Sequence, residues 1–230
     1  MITILKGEDR GKTELEWLES YHSFSFGEFF DPERMGFRSL RVLNDDTVAP
    51  GKGFPMHGHR EMEIVSYVAR GEMEHKDSLG NGSVIKQGDV QRMSAGTGIQ
   101  HGEWNASATT PLHLIQVWML PAEKGIAPSY EQASIDLPSY RDGWVVLAAS
   151  AGGLVTINSS AVMAGTVAAS GERRSLEFDP GRAGYLFVVR GMVRFHGNEL
   201  KAGDAAAIED ESVLEFESVT EAEVLAFDLA

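Results

Sequence analysis

The chain has 230 residues, 43% of them hydrophobic, and a formal net charge of -14 at pH 7; this supports a folded core, long enough for two domains of about 100 to 150 residues or one large one. The excess of acid argues against direct nucleic-acid binding, which depends on clustered Lys and Arg to neutralise phosphates. With no cysteine in the sequence, disulfides, thiolate ligands, zinc ribbons and iron-sulfur clusters are excluded, so any metal must be held by imidazole and oxygen.

Met1 to Lys6 meets charge at once and lacks the apolar stretch and cleavage site of a signal peptide. No segment approaches the roughly 18 uninterrupted apolar residues of a membrane span. A soluble, cytoplasmic protein is expected. Gly7-x3-Gly11-Lys12-Thr13 falls one residue short of a phosphate-binding loop and opens no amphipathic helix. Short helical turns are predicted at Leu15 to Leu18 and at Pro128 to Gln132. Phe24, Phe26, Phe29 and Phe30 read as core packing or as a pocket wall. The dominant signal is a series of short β-type runs separated by Gly, Asn, Asp and Pro: Arg38 to Leu43, Ile64 to Val68, Leu112 to Met119, Leu186 to Val189 and Val224 to Leu229. Such spacing predicts an antiparallel sandwich or barrel. Gly96-x-Gly98 lacks the third glycine and the βαβ unit of a dinucleotide fingerprint. His22, His75, His113 and His196 stand singly and read as structural or surface residues.

Two stretches differ from the rest. His57-Gly58-His59 and His101-Gly102-Glu103 each place two metal-competent side chains at i and i+2, which in a strand lie on one face. Two strands turning those faces toward a common interior bring three imidazoles and a carboxylate around one point. Glu61 and Glu63 share the strand parity of His57 and His59, so the fourth ligand stays open among Glu61, Glu63 and Glu103.

The chain also echoes itself. Tyr67-Val68-Ala69-Arg70-Gly71-Glu72-Met73 is similar to Phe187-Val188-Val189-Arg190-Gly191-Met192-Val193, and Lys86-Gln87-Gly88-Asp89 to Lys201-Ala202-Gly203-Asp204. Pro121, Pro128 and Pro138 mark an irregular connector, because proline interrupts strand ladders. Two β-barrel domains are predicted, residues 1–135 and 136–230. Where the second copy would carry its histidines it reads Ser170-Gly171-Glu172-Arg173-Arg174-Ser175-Leu176-Glu177, so only the first barrel is expected to hold a metal.

The pattern Gly51-x5-His57-x-His59-x3-Glu63-x7-Gly71, followed by Gly88-Asp89-x4-Ser94-Ala95-Gly96-x-Gly98-x2-His101-x3-Asn105, resembles the paired motifs of the cupin superfamily. Ser94 stands where many cupins have proline, and the Glu63 to Gly71 interval is one residue longer than usual. The longer interval, Met93 to His101, Glu103, Gly53-Phe54-Pro55-x-His57-x-His59-Arg60 and His22-Ser23-Phe24-Ser25-Phe26 resemble the pirin family, particularly its short bacterial members with flavonol dioxygenase activity. The resemblance covers the N-terminal half and is thinner beyond it. It implies an all-β fold of two tandem cupin (double-stranded β-helix, jelly-roll) barrels, a bicupin. It implies His57, His59, His101 and Glu103 as ligands of one divalent transition metal, Fe(II) first, with Mn, Co, Ni, Cu or Zn also suited to the donor set. It implies dioxygen and a flavonol such as quercetin as substrates of a quercetin 2,3-dioxygenase-like reaction releasing carbon monoxide, with a nearby carboxylate as base: Glu103, or Glu63 or Glu61 in its place, since a carboxylate that shares its charge with a cation is a weak base. The other function it implies is a metal-binding regulatory module, a transcription cofactor or redox sensor acting through a protein partner. Neither reading calls for a membrane.

Overall fold

The alternation of apolar and polar residues along short runs produces strands, and the computed structural model describes residues 1–140 and 143–230 as almost entirely strand and turn. In the first half a seven-stranded sheet runs in the order Ser129–Ala133, Val90–Ser94, Glu63–Arg70, Leu112–Met119, Leu40–Val48, Leu18–His22, Gly11–Leu15. A four-stranded sheet, Gly53–His59, Ile99–Asn105, Glu72–Asp77, Gly82–Lys86, lies over it. The second half repeats the plan. Its seven-stranded sheet is Ile2–Leu5, Ala205–Ile208, Ala183–Arg190, Ala222–Leu229, Val162–Ala168, Val145–Ala149, Val155–Thr156, and its four-stranded sheet is Arg173–Glu177, Val213–Ser218, Met192–Phe195, Asn198–Lys201.

The period of two decides what each residue faces. In Glu63–Arg70, Val65 and Tyr67 join one apolar cluster with Leu43, Ile115, Val117, Tyr185, Phe187, Leu225 and Phe227, which welds the two large sheets face to face. Ile64, Ser66 and Val68 point the other way, into the first barrel. Burying that shared face stabilises both halves at roughly 25 cal/mol per Å² of apolar surface. Polar ties reinforce it: the Tyr67 hydroxyl donates to Glu223 at 2.6 Å. The strand Ile2–Leu5, first in sequence, pairs with Ala205–Ile208 of the second half.

Neither predicted helical segment is helical: the first is a hairpin turn and the second a strand. Leu15 and Leu18 close a hairpin whose turn is Glu16-Trp17, with Gly11 opposite His22. Ser129–Ala133 pairs with Val90–Ser94. There the open edge of the large sheet offers backbone partners, and Arg92 donates to the Ser129 hydroxyl at 2.6 Å and to Glu131 at 2.8 Å. Tertiary pairing overrides local propensity in both places. The lookalike phosphate loop splits between a 3-10 turn, Gly7–Asp9, and the strand that begins at Gly11.

The echoed glycines occupy one structural position. Gly71 has φ +89° and Gly191 φ +83°, and a Cβ at Gly191 would stand 2.1 Å from the carbonyl oxygen of Glu221. Gly191→Ala therefore adds both an unfavourable backbone region and a backbone clash. Urea unfolding should show a loss of at least about 2 kcal/mol, and a loss under about 0.5 kcal/mol would contradict this packing.

Candidate metal centre

The strand Gly53–His59 pairs with Ile99–Asn105 so that His57 stands opposite His101. His101 and Glu103, two residues apart, share one face of their strand, and the register shift between them is taken up by an extra residue in Gly53–His59. The rings of His57, His59 and His101 meet with centroids 4.5 to 4.9 Å apart, and their nitrogens lie within 4.8 Å of one another. A second group, His75, His101 and Glu103, shares His101.

His101 is fully buried, and neither of its ring nitrogens has a hydrogen-bond partner among the described residues. An unsatisfied buried donor or acceptor costs about 1 to 3 kcal/mol, so the position calls for a partner that protein atoms do not provide. His57 Nδ1 is 2.8 Å from the carbonyl of Pro55; donating there leaves the Nε2 lone pair free. Burial, then the neighbouring His101 and His57, push His59 down to about 4. Burial and then His57 and His75 push His101 down to about 3. Both rings are neutral near pH 7, which is the form that binds a cation.

Glu103 is caged. Its Oε1 accepts hydrogen bonds from Gln91 Nε2 and, at 3.3 Å, from Ser66 Oγ; its Oε2 accepts from Gln116 Nε2 at 2.7 Å. Gln116 is oriented in turn by Trp118 Nε1, which donates to its Oε1 at 3.1 Å. A carboxylate offers about four lone-pair sites, so three donors leave room for one cation. Imidazole nitrogens and a carboxylate oxygen suit divalent first-row metals. The residues fit such an ion.

Glu61 and Glu63 lie elsewhere. The strand ends at His59, and Glu61, with φ 51°, turns a corner and accepts from the backbone N-H of Gly125 at 3.1 Å. Glu63 opens the next strand on the face turned to the second half, accepting from Ser94 Oγ at 2.7 Å and from the Asn158 N-H at 2.9 Å. Ser94, the substitution for the usual proline, is thus the hydroxyl that satisfies Glu63.

Sequence reasoning missed several neighbours. His75 is fully buried, opposite Glu103 in the register, with Nε2 3.1 Å from Asp77 and its ring stacked on Tyr130 at 4.6 Å. His22 is also buried, with Nδ1 2.8 Å from Asn44 Oδ1. Of the early aromatics, Phe24 is core, Phe30 is exposed, and Phe26 packs edge-on to Trp118. His113, half-buried, pairs with Asp45. The available signal was a polar residue on the inward parity of a strand, as at Ser66, Gln91 and Gln116.

A cavity of about 550 Å³ opens beside the cluster. Leu15, Leu18, Phe26, Phe54, Met56 and Trp118 form its apolar walls, while Thr13, Ser20, His22, Asn44 and Asp46 line a polar side. His57, His59, Glu103 and Gln116 close its end.

The second barrel has the same registers without the chemistry. Ser66 pairs with Gln91 and Gln116; the matching Leu186 pairs with Ala206 and Ala226. Leu176 stands opposite Leu214 as His57 does opposite His101, and Phe195 and Phe216 take the places of His75 and Glu103. All except the half-buried Leu176 are buried members of one apolar cluster, with Leu176 packed against it.

A family model described as Pirin matches residues 6–119, and one described as a quercetinase C-terminal cupin domain matches residues 144–229. The quercetin 2,3-dioxygenase of Escherichia coli K12 is 39% identical over 230 residues, covering 100% of this chain and 99% of that protein. The chain belongs to the pirin family. The crystal structure of the bacterial pirin YhhW from Escherichia coli in complex with nickel(II) is 38% identical, with a TM-score of 0.93 over 100% of this chain and 99% of that one. A quercetin 2,3-dioxygenase structure from Acinetobacter baumannii, 22% identical with a TM-score of 0.78, covering 98% of this chain and 85% of that one, shares the fold. The two pirin barrels are therefore tandem cupins, as the motifs implied.

Because His59 and His101 stay neutral well below pH 6.5, protons compete weakly for the site. Nickel(II) affinity, measured by calorimetry, should fall less than about fivefold from pH 7.5 to pH 6, against roughly fiftyfold for three imidazoles of ordinary basicity. The larger fall would contradict the crowded, desolvated geometry.

Proposed function

We propose that this pirin holds one divalent cation, Fe(II) first, on His57, His59, His101 and Glu103, and that it is a dioxygenase opening the central ring of flavonols such as quercetin with release of carbon monoxide. The observation that carries the reading is the unpartnered, buried His101 beside His57 and His59 at the end of a cavity sized for a small aromatic molecule. The naming of its relatives as quercetin 2,3-dioxygenases supports the substrate class. In this reading residues 1–135 form the catalytic domain, save the strand Ile2–Leu5 that joins the other sheet, and residues 136–230 a metal-free structural one.

When bound, such a cation supplies Lewis acidity toward a phenol or enol hydroxyl and a partner for dioxygen. The chain does the rest. Trp118, Phe26 and Phe54 give flat rings an apolar slot that excludes water from the reacting centre. The polar side of the cavity receives ring hydroxyls and sets which edge of the substrate turns toward the histidines. Gln91, Ser66 and Gln116 fix Glu103 so that little reorganisation is needed on binding. With three donors on its two oxygens, Glu103 would serve as a ligand of the cation rather than as the acceptor of a substrate proton.

Protein prepared without oxygen and loaded separately with Fe(II), Mn, Co, Ni or Cu should consume dioxygen, bleach the long-wavelength band of quercetin and release stoichiometric carbon monoxide. His101→Ala should lose metal and activity together, whereas Glu63→Ala should keep its metal. If every metallated form leaves quercetin intact while metal changes binding to a protein partner, the regulatory reading replaces this one.

A further inference from the structure

Ring opening of an enol or phenol begins with removal of its hydroxyl proton, and Glu103 is committed to its cage. Among the described residues, the carboxylates lining the cavity are Glu28, Asp46 and Glu103. Glu28 sits in the loop at the rim and is exposed. Asp46 is 3% exposed. It lies on Leu40–Val48, opposite Ser20 on one side and Leu114 on the other. Two residues away on the same face, Asn44 stands opposite His22 and Gln116, and Gln116 holds Glu103. Strand geometry puts Asp46 one rung, about 7 Å, from that row.

Among the described residues the Asp46 carboxylate has a single hydrogen-bond donor, the Ser20 hydroxyl, on Oδ1. Among the described residues Oδ2 accepts nothing, and Asp46 lines the cavity. No Lys or Arg pairs with Asp46 among the described residues. A buried carboxylate without a cation is costly to the fold, and the corresponding position of the second barrel, opposite Val224 as Asp46 is opposite Leu114, is Thr166. Only the barrel with the histidines carries this acid.

We propose that Asp46 is the proton acceptor of the reaction, its Oδ2 taking the hydroxyl proton of a bound flavonol or related enolisable phenol and leaving the substrate as its anion. This role rests on the dioxygenase reading. The step balances: the substrate O-H bond breaks, its electron pair stays on the substrate oxygen, and the proton moves to the carboxylate. Asp46 is tuned for it. Burial pushes the carboxyl up to about 7; the Ser20 hydrogen bond opposes this, and Asp45 and Glu103 add like charge while His113 offsets it. Facing it from the adjoining strands are Ser20, His22 and Gln116, with Asp45 and His113 on the opposite face of the sheet, the one turned to the second half. A base near neutrality can be free at working pH and still hold a proton.

The test compares the whole nickel-loaded chain with Asp46→Asn, Ser20→Ala and wild type. In oxygen-free quercetin complexes at pH 7.5, wild type should show the red-shifted band of the deprotonated flavonol and Asp46→Asn the neutral band, with equal metal content. In air, kcat of Asp46→Asn should fall at least about 100-fold with KM changed less than about threefold. Its melting temperature at pH 8 should equal or exceed wild type, since the substitution removes a buried charge. Ser20→Ala should move the acid limb of the pH profile upward, because the lost hydrogen bond favoured the carboxylate. Asp46→Asn that keeps the deprotonated band or wild-type kcat overturns the proposal, as does a variant that loses its metal, which would mark Asp46 as support for the site. Wild-type protein that leaves quercetin unbound sinks the flavonol reading, and this role with it.

Discussion

A buried imidazole that none of the described residues satisfies is the constraint on which this structure turns. His101 occupies a strand position that, in the matching barrel, is held by Leu214 at no polar cost. Keeping a histidine there, against His57 and His59, is destabilising unless something else meets its nitrogens. The four-stranded sheet supplies the convergence, since the pairing of His57 with His101 and the i, i+2 spacing within each strand turn four side chains to one face. The large sheet supplies the support, through the inward amides and hydroxyl of Gln91, Gln116 and Ser66.

The two halves therefore separate stability from chemistry. Equivalent inward positions read His, Glu, Gln and Ser in one barrel and Leu, Phe and Ala in the other. An apolar interior fills itself and needs no partner, whereas the polar one leaves an open cavity and unsatisfied nitrogens. The shared apolar core of the two large sheets ties the filled barrel to the one with the polar interior. Such division is consistent with local rules being broken where function resides.

Much of this was legible from residue spacing. The i, i+2 pairs needed only the strand period to predict that His57, His59, His101 and Glu103 turn inward, and the echo of Tyr67 to Met73 in Phe187 to Val193 exposed both the duplication and the missing histidines. What was hidden depends on pairing between distant strands. His75 gains its place only because Glu72–Asp77 pairs with Ile99–Asn105, and the cage of Glu103 draws on three further strands. Parity extended past His59 misplaced Glu61 and Glu63, because a left-handed residue at 61 breaks the strand and starts a new face. The helical turns at 15–18 and 128–132 were overridden by edges that needed partners.

Anomalous diffraction from crystals grown with nickel(II) tests the central claim most directly. One peak per chain is expected, about 2.0 to 2.2 Å from a nitrogen of each of His57, His59 and His101 and from an oxygen of Glu103. A peak held by His75, His101 and Glu103 alone, a peak in the second barrel, or no peak would contradict it.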